Sequence, residues 1–345
     1  MTSHLLDSFA DESLIAALRR SLGSLPVTTS VAVAISGGAD SAMLAVHAAA
    51  LAREQGWTLR LFHVHHGLQD AADAWAEQVT QLARLLDVSL DIARVQVDTR
   101  SGLGIEAAAR NARYAALADM AARHSVSTIL LAHHHHDQAE TLLLRLLRGT
   151  GPRGMAGMAT AMVRDGINYL RPWLSVSRAM ILGQAQRWAD MTGWHAVADP
   201  TNIDTHYGRG AVRSLLAPLL DKRWPGWRAS LARHARQAAE ATEILDEVAE
   251  ADFVGLEPDD QRRSFSLAAW RLLQPAHQVL VLRYWLACHD VAMPTEARLA
   301  ELVRQLRQLH ALGHDRQMLF VHGRVQVRCQ RGRVMLEPRA NLAEC

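Results

Sequence analysis

Six residues, Ser36-Gly37-Gly38-Ala39-Asp40-Ser41, bring together what a phosphate site needs. Two glycines let the backbone come close to an anion, the hydroxyls of Ser36 and Ser41 add hydrogen bonds, and Asp40 can hold a divalent cation against phosphate oxygens. An acid inside an anion site implies a metal. The spacing is neither G-x-x-x-x-G-K-[ST] nor G-x-G-x-x-G, and no lysine in the loop reaches a γ-phosphate, which disfavours kinase-like and dinucleotide readings. A glycine turn used only for tight packing is the alternative. Two further clusters gather imidazoles and carboxylates: HVHHGLQ at 63–69 and HHHHDQAET at 133–141. Consecutive histidines cannot all face one ion, and the 133–136 run lacks H-x-x-x-H spacing, so a transition-metal site there is disfavoured. His133 or His134 is expected to border a nucleotide, with the other histidines in solvent.

The elements that position these clusters follow from the pattern. Strand-like runs at 31–35, 60–64, 90–97, 128–132 and 168–172, the first with the β-branched content of a buried strand, alternate with helical stretches at 42–53, 72–86, 106–123 and 177–192. This βαβα rhythm predicts an α/β fold with a parallel, doubly wound sheet, whose ligands lie at the carboxyl ends of the strands. SGGADS follows the first strand, HHGL the second and HHHHDQAET the fourth. The helix after SGGADS adds N–H donors and roughly half a unit of positive charge to the loop. Glu106, Arg110, Arg113 and Tyr114, spaced 0, 4, 7 and 8, form one polar stripe on an Ala-rich helix. Asp137, Glu140 and Thr141 share a side of the helix after strand four.

The first domain is expected to cover 1–218 and a smaller α+β domain 219–345, with helices at 224–250 and 266–289. Two or three short strands follow at 318–338, around turns at Gly323 and Gly332. The 345 residues carry 37 basic and 35 acidic side chains, a net charge of +2, and 49% are apolar, without a long uncharged apolar run. A disordered chain and a membrane span are thereby disfavoured. The first residues lack an export signal, so a cytoplasmic location is expected. Three scattered cysteines, Cys288, Cys329 and Cys345, argue against zinc ribbons, disulfide frameworks and paired-thiol sulfur carriers. Between Arg298 and Arg339, nine arginines face three acids, an excess of +6 hidden in the total. The nine tryptophans sit in apolar settings that suggest core positions.

SGGADS resembles the pyrophosphate loop of enzymes that cleave ATP between its α- and β-phosphates. Three more segments narrow the likeness. HVHHGLQ is similar to an HVNHGLR element, LAHHHHDQAETLLLRLLRGTG (131–151) to AHHxDDQAETxLLRLxRGxG, and DPTNIDTHYGRGAVRSLLAP (199–218) to DPSNxDxxYxRNxxR, all of the tRNA(Ile)-lysidine synthetase family. The stripe matches that family's E-x-x-x-R-x-x-R-Y pattern, and 265–339 resemble its first C-terminal domain. His65, His136 and Gly210 depart from it, standing where the family has Asn, the first Asp of a pair, and Asn.

The resemblance implies an adenine nucleotide alpha-hydrolase-like fold. It also implies ATP- and Mg2+-dependent ligation of L-lysine to C2 of the wobble cytidine of tRNA(Ile) with anticodon CAU, through an adenylated cytidine. Implied nucleotide contacts are Ser36, Gly37, Gly38, Ala39, Asp40, Ser41, His66, Gly67 and His133. Asp40, Asp137, Glu140 and Arg113 are implied in catalysis, with Asp40 and Asp137 as metal ligands. The Arg-rich tail would meet tRNA backbone, and a homodimer is expected because the family includes dimers. Other pyrophosphate-loop enzymes (a tRNA sulfur transferase or a small-molecule amide ligase) and a nonenzymatic nucleotide-dependent tRNA-binding protein are the alternatives.

Overall fold

The computed structural model describes residues 6, 8–23, 25–26, 29–67, 71–97, 104–199, 201, 204–309 and 317–339. Leu68, Gln69, Pro200, Asn202, Ile203, Arg316 and Cys345, which belong to the segments named in the sequence analysis, lie outside them. Contacts divide the chain into two compact units, Met1–Gln237 and Ala238–Cys345, and residues 219–237 fall in the first.

The first unit is built on a six-stranded sheet, β1 (Ser30–Ala34), β2 (Thr58–His65), β3 (Ser89–Arg94), β4 (Thr128–Leu130), β5 (Ala161–Arg164) and β6 (Ile167–Leu170), in the order β3-β2-β1-β4-β6-β5. All neighbours are parallel except the β5–β6 hairpin. That hairpin escapes the sequence reading. Its turn is Asp165-Gly166, with both residues at positive φ, 52° and 75°, the conformation a tight hairpin requires.

Side chains alternate between the two faces of the sheet, as a strand's period of two dictates. Val31 and Val33 point into one core, against Leu44, Leu51, Trp173 and Trp188. That face is covered by α1 (Glu12–Leu22), α2 (Ala39–Gln55), α3 (Ala72–Leu86) and α7 (Arg178–Thr192). Ala32 points the other way, joining Phe62, Ile129, Tyr169 and α4 (Ile105–Arg123) in a second core. Tyr114 belongs to this core, its ring edge-on to Tyr169 at 4.9 Å, so the stripe on α4 is Glu106, Arg110 and Arg113 alone.

After β4 come α5 (His135–Leu147) and the short α6 (Pro152–Met155). Beyond α7, α8 (Gly208–Ala211) runs into a π-helical turn, Val212–Leu216, where Ala217 N–H reaches back five residues to Val212 O. Then follow α9 (Ala217–Arg223) and α10 (Trp227–Val254). No helix of the described residues is long and apolar enough to cross a membrane.

The second unit holds an antiparallel sheet, β7 (Ser264–Ser266), β8 (Met318–His322), β9 (Val325–Gln330) and β10 (Arg333–Pro338), in the order β7-β10-β9-β8. Gly323 and Gly332 sit at its turns with φ 56° and 74°. Its helices are α11 (Leu267–Leu272), α12 (Pro275–Cys288) and α13 (Glu296–Gln308), packed with Phe253, Phe265, Trp270 and Trp285 in the core. The helix expected over 266–289 is two helices because Pro275 starts a new one. Most tryptophans are buried or half-buried; Trp224, 58% exposed, is not.

Candidate active site

Sheet order reverses between β1 and β4, and in such sheets ligands bind there, at the strands' carboxyl ends. The loop from β1 into α2 stands at this place. Gly37 takes φ 92°, and its carbonyl accepts from Val197 N–H at 2.9 Å. A Cβ there would lie 3.1 Å from Val197 Cγ2 and 3.3 Å from Val79 Cγ2, so the loop's path depends on glycine. The hydroxyls of Ser36 and Ser41 are 3.0 Å apart, and Ser41 Oγ accepts from Ser36 N–H at 3.1 Å. Gly38 caps α2 without a side chain, which leaves the first-turn N–H groups, with Ala39 first in the helix, open to an anion.

Asp40 stands in the first turn of α2. Its Oδ2 is 3.5 Å from His134 Nε2, while its buried Oδ1 has no hydrogen-bond partner, Arg178 Nε standing 3.9 Å away. His134, 2% exposed, caps α5: its Nδ1 accepts from Asp137 N–H at 3.3 Å, and Asp137 Oδ2 accepts from His134 N–H at 3.0 Å. Accepting at Nδ1 leaves the ring proton on Nε2, the atom that faces Asp40.

Arg213, from the π turn, joins the two buried carboxylates of α5. Its Nη2 lies 3.1 Å from Asp137 Oδ1 and its Nε 2.6 Å from Glu140 Oε1. Burial works to raise the Asp137 carboxyl, but His134, His133 and Arg213 overcome it and hold the pKa below the usual range. Both Asp137 oxygens are thus engaged, whereas buried Glu140 Oε2 has no partner. Arg209 donates to Thr141 Oγ1 at 3.3 Å.

At the end of β2, Arg113 Nε donates to His66 Nε2 at 3.3 Å, which leaves His66 Nδ1 protonated, buried and unpartnered. Burial, with Arg113 beside it, lowers the His66 pKa to about 4. Gly67 follows at φ 64°. Burial lowers His133 to about 3, and its Nδ1 is also unpartnered.

His135 and His136 are half-buried rather than in solvent, because His134 must turn inward to cap α5 and the helix draws its neighbours with it. Burial lowers His136 to about 4, and its ring stands edge-on to His134 at 5.7 Å. His65 is turned toward Asp73, with Nε2 3.2 Å from Oδ1. Gly210 is buried: a Cβ would lie 1.9 Å from Asp204 O.

Sequence reasoning missed two residues here, Arg178 and Arg213, and the capping role of His134. Arg178 begins α7 just past the end of β6, Arg213 was only the last letter of a quoted motif, and His134 occupies a cap normally filled by Ser, Thr, Asp or Asn. Among the described residues, no three of His, Cys, Asp and Glu converge as a metal cage. Magnesium needs none, since it takes one or two carboxylates and completes its shell with phosphates and water.

A glycine loop running from the central strand of such a sheet into a helix N-terminus defines a PP-loop nucleotide-using protein. Residues 11–220 match the family described as PP-loop domain, and 265–335 match the one described as TilS substrate binding domain. The tRNA(Ile)-lysidine synthase of Bordetella bronchiseptica is 63% identical over 327 residues, covering 93% of this chain and 95% of that protein. The chain belongs to the tRNA(Ile)-lysidine synthase family. The Bordetella pertussis member is 64% identical over 312 residues, covering 90% and 97% of the two chains. That of Burkholderia mallei is 41% identical over 311 residues, which cover 89% of this chain and 62% of the longer relative. Among solved structures, the U34-tRNA thiolase NcsA from Methanococcus maripaludis shares the fold, with a TM-score of 0.54 and 16% identity over 66% of this chain and 79% of that one.

Proposed function

We propose that this protein ligates L-lysine to C2 of the wobble cytidine of tRNA(Ile) with anticodon CAU. In this reading ATP adenylylates the C2 oxygen with release of pyrophosphate, and the lysine ε-amine then displaces AMP to give lysidine. The observation that carries it is the 63% identity to a tRNA(Ile)-lysidine synthase along 95% of that protein's length. Four buried, unpartnered atoms at the ends of β1, β2 and β4 support it: Asp40 Oδ1, His66 Nδ1, His133 Nδ1 and Glu140 Oε2.

The loop of Ser36, Gly37, Gly38, Ala39 and Ser41, with the N–H groups of α2, receives the pyrophosphate portion of ATP. Asp40 Oδ1 would hold a magnesium ion, which supplies charge neutralisation at the departing pyrophosphate. Asp137 would join as a second ligand by yielding its bond to Arg213 or to His134. His66 and His133, neutral at physiological pH, offer Nδ1 and Gly67 its backbone to the nucleotide. Glu140 Oε2 orients the lysine ammonium and accepts a proton as the amine attacks. Arg113 steadies His66 and adds positive charge near the reacting phosphate. Residues 1–218 carry the chemistry and 219–345 hold tRNA; a cytoplasmic location and a homodimer go with this reading.

The test is transfer of radiolabelled lysine, with ATP and magnesium, to a tRNA(Ile) transcript bearing CAU, beside a control with uridine at the wobble position. Label on the first alone is expected. Label on neither, with a known active enzyme as positive control, overturns the proposal.

A further inference from the structure

Five arginines, Arg110, Arg113, Arg145, Arg171 and Arg209, form an electrostatically linked group beside His133. Arg110, Arg171 and Arg209 all act electrostatically on His133 and on Arg145, and Arg110 and Arg209 act on Arg113. Their contacts form a continuous set. Arg145 Nη1 donates to Gly154 O at 2.8 Å and Gly157 O at 2.6 Å, and Arg171 Nη1 donates to Ala159 O at 2.8 Å, so both grip the same turn. Arg110 lies over the Tyr114 ring, 5.0 Å from its centroid, and donates to the Tyr114 hydroxyl at 3.3 Å, and Tyr114 also acts electrostatically on Arg171. Arg209 reaches Thr141, one turn before Arg145 on α5, and Arg113 reaches His66.

Every one of these partners is neutral. Among the described residues, no carboxylate lies within ion-pair distance of Arg110, Arg113, Arg145, Arg171 or Arg209. Arg213 is the contrast, one guanidinium held by two carboxylates. Burial and mutual repulsion push Arg145 and Arg171 below the ordinary arginine range. Arg171 is 4% exposed, and its buried Nε has no acceptor. Arg110, by contrast, stands at the surface. A cationic group half withdrawn from water and without counter-charge is unfavourable by itself, and an incoming polyanion relieves it.

We propose that this arginine cluster seats the phosphodiester backbone flanking the nucleotide presented to Glu140. This rests on the reading that the substrate is RNA. Pyrophosphate has its own donors in the loop after β1, on another strand. Five positive charges spread over α4, α5, α8 and the end of β6 suit a run of phosphates better than a single anion. Arginine also has the flat, forked donor geometry that pairs with phosphate oxygens.

The full chain and its Arg110→Gln, Arg209→Gln and double variants are titrated with a CAU anticodon stem-loop at several salt concentrations. ATP affinity is measured in parallel by calorimetry, and folding by thermal melting. Each substitution is expected to reduce the slope of log affinity against log salt by about 0.7–0.9, the value of one lost phosphate contact. ATP affinity and melting temperature stay within error, and Arg209→Lys restores the slope. An unchanged slope in the double variant overturns the proposal, as does a loss of ATP affinity in step with RNA affinity, which would assign the cluster to the nucleotide. If the wild type transfers lysine while the slopes stay unchanged, only the cluster's assignment fails. A wild type that neither binds nor modifies the RNA removes both readings.

Discussion

Replacing Arg213 by Met tests the electrostatics of the site most directly. Arg213 is the cation shared by two carboxylates that are only 8% and 6% exposed, Asp137 and Glu140. Its removal leaves both inside without their counter-charge, a type of change that costs about 3–5 kcal/mol. For a unit of this size that corresponds to a fall in Tm on the order of 10 °C. The pH dependence carries a sign. Asp137 has its folded pKa held down, so its contribution is complete above the ordinary carboxylate value near 3.9 and fades as pH falls through the folded value. The variant loses that contribution, and its deficit is therefore largest near neutral pH and narrows as Asp137 protonates. Urea denaturation of both proteins at about pH 7 and about pH 3 measures it. A triple variant, Arg213→Met with Asp137→Asn and Glu140→Gln, should regain most of the stability and none of the activity. A neutral-pH loss below about 1 kcal/mol, the range of an exposed pair, would refute the reasoning, and so would a deficit that grows on acidification.

Asp40→Ala should abolish pyrophosphate release in a coupled phosphate assay while largely preserving tRNA binding in a filter assay; equal turnover would refute the metal role. Gly210→Ala places a Cβ 1.9 Å from Asp204 O, so the backbone must shift. The expected loss is about 1–3 kcal/mol by chemical denaturation, and an unchanged midpoint would show that the approach of Asp204 is dispensable. His47 is fully buried against Phe9 and Trp173, donates Nδ1–H to Met43 O, and has its pKa lowered by burial. The unfolded chain then takes up the proton first, so stability is complete above about pH 6.5 and declines as pH falls toward the folded value. His47→Leu should flatten part of that decline, and identical pH profiles for the two proteins would contradict it.

The central parallel strands β1 and β4 were legible because both their faces are buried, which writes a dense apolar run into the sequence. The C-terminal hairpins were legible through Gly323 and Gly332. β5 was not, although Asp165-Gly166 is a recognised hairpin signal, because the four residues before it show no clean alternation of burial and hydrophobicity: Ala161 and Val163 are exposed. Local spacing also misassigned Tyr114, since the i, i+4 relation to Arg110 is real but the ring turns inward to Tyr169. Motifs delivered the loop residues as single letters in order. They said nothing of pairing: that Arg213 neutralises α5, or that His134 stands between Asp40 and Asp137, depends on segments far apart in the chain.

The widened turn at Val212–Leu216 accommodates one residue more than the α turn it interrupts. Pro218 has no N–H to give Ser214 O, which removes one of the bonds that would favour a regular α-helix there. Deleting a single codon in this stretch would rotate the helix on its N-terminal side against the helix on its C-terminal side by about 100°, and Arg209 and Arg213 could not both keep their places on α5. The length of this segment is therefore under tighter constraint than its composition. A distant PP-loop sequence that aligns here with a one-residue gap should lack the shared guanidinium between its two carboxylates, whatever residues the alignment sets opposite Arg213.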